Sequence, residues 1–176
     1  MFITVGTIIL LGTFILTSNT IISTTRQSSM NTEFYLTAIA LGQSVIEEAK
    51  TKLFDQAATV GTVTNVSDLT APSLLGRDGG GESVGNPDTL SGNIFRSAVL
   101  FNDVDDYHDY NRRINTTRAT NYNIRTTVTY TSPTFPDSIR TVRTWCKLMT
   151  VFVTNPFILN PDNQQDTIRL TYTFCY

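Results

Sequence analysis

The first 25 residues, MFITVGTIILLGTFILTSNTIISTT, carry no charged side chain, and the first charge in the chain is Arg26. A helix of about 20 apolar residues spans the hydrocarbon core of a membrane. A helix that is apolar all round must be buried in lipid or in protein. This segment therefore has to find an apolar environment, in lipid or in packed protein. A secretory signal peptide begins with a basic region and ends in a small-residue cleavage site. No Lys or Arg precedes the apolar stretch and no Ala-x-Ala site follows it. The expectation is a processed chain from which a short basic leader was removed just before Met1.

The helical pattern continues beyond the apolar segment. Between Gln27 and Phe54 there is no proline and one glycine, Gly42. Phe34, Ala38, Leu41, Val45, Ile46, Ala49 and Leu53 recur with a period near 3.6, whereas Glu33, Gln43, Glu47, Lys50 and Lys52 fall mostly off that stripe. The simplest reading is one helix of about 50 residues, roughly 75–80 Å long. Its first half is apolar throughout and its second half amphipathic. Thr4, Gly6, Thr7, Gly12, Thr13, Thr17 and Ser18 lie in the first half. Small and hydroxyl residues allow helices to approach closely, which suits a bundle of identical helices. Gly12 and the Ser18–Asn19–Thr20 stretch are the expected weak points of the helix.

After Phe54 the texture changes. Residues 55–93 hold Gly61, Pro72, Gly76, the run Gly79–Gly80–Gly81, Gly85, Pro87 and Gly92, a loop composition without sustained periodicity. Ile94–Leu100 reads as an extended segment. Tyr122–Tyr130 alternates with period two, as does Thr167–Tyr176, and Ile139–Val153 reads as a strand between them. Prolines at 133 and 136 mark one turn; Asn155–Gln165, with Pro156 and Pro161, marks another. The fold class expected is α+β: a long N-terminal helix over 1–54, then a globular domain over 55–176. That domain comprises a connecting loop region (55–121) and an antiparallel β-meander (122–176).

The two cysteines, Cys146 and Cys175, form no CxxC pair, and the single histidine completes no common zinc set with them. They are either one disulfide, the expected state in an exported chain, or two buried thiols. As a disulfide they staple the middle strand to the last and pin the chain end.

Few groups offer chemistry. Asp103, Asp105, Asp106 and Asp109 form an acidic run able to supply oxygen ligands to Ca²⁺, although neither the glycine nor the terminal glutamate of an EF-hand loop is present. The competing reading is a solvated turn balanced by Arg112 and Arg113. His108 has no evident catalytic partner, so a surface or capping role is expected of it. No GxSxG occurs, and the glycine run leads into Glu82–Ser83 and not into Lys-Ser/Thr. No enzyme is expected, and no cofactor beyond that calcium. Asn65-Val-Ser67 and Asn115-Thr-Thr117 match the N-glycosylation sequon. Charged residues make up 16% of the chain, below the usual quarter or so, and the net charge is −2. No basic field exists to draw in nucleic acid.

The order of these parts resembles type IV pilins and the pseudopilins of type II secretion, the sequence likeness lying in residues 1–54. The resemblance implies a long N-terminal helix, a variable connecting loop, an antiparallel sheet and often one C-terminal disulfide. It implies a precursor anchored in the inner membrane and served by a pilus assembly machinery. It also implies an extracellular helical filament of many copies, with Ile9, Leu10, Leu11, Phe14, Ile15, Leu16, Ile21 and Ile22 in its core. Members usually carry Glu at the fifth mature position, where this chain has Val5, a departure that suits some minor pilins and archaeal pilin-like chains. The helix also lacks the proline near position 22 common in bacterial members. The acidic run at 103–109 is similar to one in minor pilins of the mannose-sensitive haemagglutinin type.

Overall fold

The computed structural model describes residues 2–79, 81–160, 162 and 164–176, Phe2 by its backbone alone. Met1 at the expected processing point, Gly80 of the glycine run and Pro161 of the second proline loop lie outside the described residues.

One unbroken helix, α1 (Phe2–Lys50), opens the chain and passes through Gly12 and the Ser18–Asn19–Thr20 stretch without interruption. Threonine hydroxyls back-bond to carbonyls three or four residues earlier, as in Thr17 Oγ1 to Thr13 O (2.8 Å) and Thr20 Oγ1 to Leu16 O (2.9 Å). These bonds satisfy the hydroxyls within the helix and leave its backbone ladder in place.

The second half of α1 lies on an antiparallel sheet of five strands: β1 (Asn111–Ile114), β2 (Tyr122–Thr131), β3 (Ile139–Arg140), β4 (Cys146–Leu159) and β5 (Gln165–Cys175). The order is β1-β2-β4-β5, with β3 pairing β2 beside that path. Phe34, Ala38, Val45, Ile46 and Ala49 are buried against Ile124, Val128, Met149, Val151 and Val153. The stripe ends there, because the helix stops at Lys50 and Leu53 is half exposed. Gly42 marks the closest approach to the sheet. A Cβ there would stand 2.6 Å from Leu170 Cδ1 and 3.1 Å from Val153 Cγ2.

A disulfide joins Cys146 to Cys175, which are register partners at one end of the β4–β5 ladder. The expected middle strand is shorter at its start. Thr144 Oγ1 donates to the Thr131 carbonyl (2.6 Å), taking up an acceptor that a ladder amide would use. It is longer at its end, since β4 runs past Pro156 to Leu159. The ladder shifts register between Thr154 and Leu159, and proline is tolerated at such an irregularity because no ladder N–H is needed.

Residues 55–121 contain more order than their composition suggests. Two short helices, α2 (Gln56–Val60) and α3 (Arg96–Leu100), and 3₁₀ turns at Val66–Asp68, Pro72–Leu74 and Asp105–Tyr107 lie within it, as does β1. The expected extended run at 94–100 is mostly α3. Its Ser97 N–H is held by Asp88 Oδ2 (3.1 Å), a partner brought in by tertiary contact. Around it a buried polar network ties α1 to β1. Arg112 Nη2 donates to both oxygens of Glu48 (2.8 and 2.6 Å), Tyr107 OH donates to Glu48 Oε1, and Arg112 Nε donates to Tyr110 OH.

Candidate functional site

The sheet domain covers only the second half of α1. Between Ile3 and Thr32 no side chain is buried and only Ser18 is partly covered. The projecting part measures about 45 Å at 1.5 Å per residue, longer than the roughly 30 Å of a bilayer core. The segment is long and apolar enough to cross a membrane, and none of its most apolar window is covered by the rest of the chain. All eight residues expected in a filament core, from Ile9 to Ile22, are exposed, the least of them at 49%.

They surround the axis. Ile8, Ile15 and Ile22 lie along one side, Leu10, Phe14 and Ile21 along a second, and Ile9 and Leu16 along a third. Folded monomers seldom leave a contiguous apolar area of this extent in water. Five of the threonine hydroxyls among these side chains are satisfied within the helix: Thr7, Thr13, Thr17, Thr20 and Thr24 each donate to a carbonyl of the preceding turn at 2.8–3.2 Å. A dry neighbour therefore costs these five hydroxyls no lost hydrogen bond. No charge interrupts the surface before Arg26, which is exposed.

Where the helix meets the domain, a groove of about 580 Å³ opens between α1 and the end of β4. Its apolar walls are Ile22, Met30, Phe34, Pro156, Phe157 and Leu159, with Phe34 and Phe157 stacked at 5.4 Å. Asn19, Ser23, Arg26, Gln27 and Asn31 also line the groove, so the apolar surface of the projecting helix passes to a shoulder of the domain through a mixed polar and apolar junction.

No protein-family model matches the chain, and comparison with curated proteins and with solved structures finds no match. The architecture alone is pilin-like: a long apolar N-terminal helix, an antiparallel sheet packed on its second half, and a disulfide near the C-terminus.

The four aspartates singled out in the sequence do not act as one group. Asp103, Asp105 and Asp106 are buried, whereas the Asp109 side chain is 76% exposed and faces His108. Asp103 Oδ1 accepts from the N–H of Asp105 (2.8 Å), and Asp106 Oδ2 from that of Asn102 (2.9 Å), so these carboxyls fold the turn on itself. Asp105 contacts Lys147. Among the described residues no three acidic, histidine or cysteine side chains stand as a metal-holding group. Burial, together with neighbouring Asp105 and Asp106, pushes the Asp103 carboxyl up to about 8. Asp106 is raised to about 7, where burial and the nearby Glu82 carboxylate outweigh the N–H groups of Asn102 and Asp103.

His108 Nδ1 lies 2.7 Å from the Val128 carbonyl oxygen, a fastening of the turn to β2. Asn65 and Asn115, the two sequon asparagines, are exposed, and Asn115 Oδ1 accepts from the Asn121 N–H (2.8 Å). Glu48, Asp55 and Lys147, which carry buried ionic contacts, were not singled out in the sequence, and Arg112, expected to balance the acidic run, pairs with Glu48 instead. One local signal existed for Lys147: a lysine set inside the apolar strand run that follows Cys146.

Proposed function

We propose that the chain is the structural subunit of an extracellular, type IV pilus-like filament. Many copies bundle their N-terminal helices into a core while the sheet domains form the outer wall. Before assembly the same helix anchors the subunit in the inner membrane, where the assembly machinery receives it. The single observation carrying this reading is the projecting half of α1, apolar around its circumference, free of charge and with its threonine hydroxyls satisfied internally. Copies of one helix can cover each other's surface on all sides, which a lone globular partner cannot. Exchange of lipid for protein neighbours then rests on close packing, favoured by Gly6 and Gly12, where added side-chain atoms would meet nothing within the subunit. The groove beside Phe157 lies where a neighbouring subunit would seat against the shoulder.

Ile9→Asp or Leu16→Asp places an unpaired charge in that core, at a cost of several kcal/mol. Neither residue touches the sheet domain, so the expected outcome is loss of polymer with unchanged circular dichroism and an intact Cys146–Cys175 disulfide. Polymer of normal yield from both variants contradicts the proposal. Val5, where the resembled family has glutamate, favours a second reading in the same class: a minor or tip subunit of a secretion or uptake machine. Subunit stoichiometry in purified filaments separates the two.

A further inference from the structure

Lys147 is the second residue of β4, and its side chain is wholly enclosed, as are those of Asp55 and Asp105. Its Nζ donates to Asp55 Oδ2 (2.6 Å) and to the Phe54 carbonyl (2.8 Å), and it is in direct contact with Asp105 Oδ1. The rings of Phe54 and Tyr130 wall the group at 4.5 and 5.4 Å. A lysine stem on an aromatic surface is common; an ammonium nitrogen shut away from water between two carboxyls is not.

The two carboxyls are held differently. Asp55 accepts from the N–H of Ala57, the N–H and hydroxyl of Thr70 and the Tyr130 hydroxyl. Burial works against its charge, but Lys147 and those N–H donors prevail and hold it below the usual carboxylate range. Asp55 is a fixed anion. Asp105 is held more sparsely, by Lys147 and the nearby Thr70 hydroxyl, and its Oδ2 is buried without a hydrogen-bond partner among the described residues. Burial is the main reason its carboxyl rises to about 6. A neutral carboxyl is an electrophile where a carboxylate is not. The site thus sets an amine donor, an acid that gives up its charge readily and an ionised acid within one dry enclosure.

We propose that Lys147 and Asp105 condense into an intramolecular isopeptide bond, with Asp55 as the acid–base group. Within the ion pair one proton passes from Nζ to the Asp105 carboxyl, giving a neutral amine and a neutral acid. The Nζ lone pair attacks Asp105 Cγ, forming the C–N bond as the carbonyl electrons move to oxygen. Asp55 takes a proton from the new C–N nitrogen and delivers it to the Cγ hydroxyl, which leaves as water with the electrons of the broken C–O bond. The products are an amide and one water, and Asp55 is again a carboxylate. Nothing is oxidised or reduced and no co-reactant is needed. Condensation also removes one buried cation and one buried anion, each costly to keep from water, and the aromatic walls keep hydrolytic water away.

The position gives the bond a mechanical sense. Asp105 sits in the turn whose neighbours Asp103 and Val104 pair with Leu53 at the exit of α1. Cys146 and Lys147, adjacent in β4, would then both be covalently tied: one to the chain end, the other to the turn that holds the helix exit. The inference does not depend on the filament reading.

The test is the intact mass of the full chain purified with its disulfide in place, followed by tandem mass spectrometry of a digest. The expected mass is one water below that of the unlinked, disulfide-bonded chain, with a branched peptide joining residues 105 and 147. Asp105→Asn should lose one ammonia in place of one water, Asp105→Ala and Lys147→Arg should lose neither, and Asp55→Asn should leave an unlinked fraction in freshly folded protein. An unlinked mass in the native chain overturns the proposal without need of any variant. A branch at Asp55 overturns the assignment of Asp105, and complete linkage in Asp55→Asn overturns the role given to Asp55.

Discussion

Asp103 and Asp106 are the carboxyls whose protonation most depends on the fold. Each is raised from an ordinary value of 3.8, to about 8 and about 7. Glu82 and Asp105 face them, and Lys147 is the nearest cation. The folded state holds these two protons over a range in which the unfolded chain has released them. Their contribution is fully present below the ordinary value and is lost as pH rises through the folded values. Stability should therefore fall between about pH 4 and about pH 8, by at most about 1.4 kcal/mol per pH unit for each group. Thermal unfolding across that range checks it, and Asp103→Asn should flatten the profile because an amide mimics the protonated acid. A midpoint that climbs steadily through this window contradicts the assignment. The sequence displayed these aspartates as an exposed acidic run. The charged groups that face them from outside the turn, Lys147 and Glu82, are distant in the chain, and no local pattern announces such partners.

At the scale of elements, period and composition foretold the helix, β2 and β5 because each repeats its apolar residues against one neighbour. Elements held by single distant contacts were not legible: α3 depends on Asp88, β1 on its register with β2, and the late start of β4 on the Thr144 hydroxyl. The projecting surface was legible, since a charge-free run of 25 residues has few possible fates; the groove beside Phe157 was not, since it needs the end of β4 to lie over α1. Gly42 was visible only as an isolated glycine in a helical pattern. Its place against Leu170 and Val153 predicts that Gly42→Leu destabilises the domain by about 2 kcal/mol, the cost of overpacking exceeding the roughly 1 kcal/mol gained in helix propensity. Urea unfolding of the sheet domain signal measures it, and an unchanged midpoint would mean that helix and sheet separate easily at this point.

For the whole molecule, the arrangement divides labour along one axis. The domain end is fastened by the Glu48–Arg112 ion pair, the Cys146–Cys175 disulfide and a continuous core between α1 and the sheet. The projecting end is left without a partner inside the subunit. A fixed domain on a long apolar stem is the geometry on which the proposal of assembly with other copies rests, and the shoulder groove lies beside that stem. Electron microscopy of the purified native protein after detergent removal tests this most directly. The account predicts filaments of uniform diameter with the sheet domains on the outside; a preparation that stays monomeric, with each helix held singly in lipid or detergent, would contradict it.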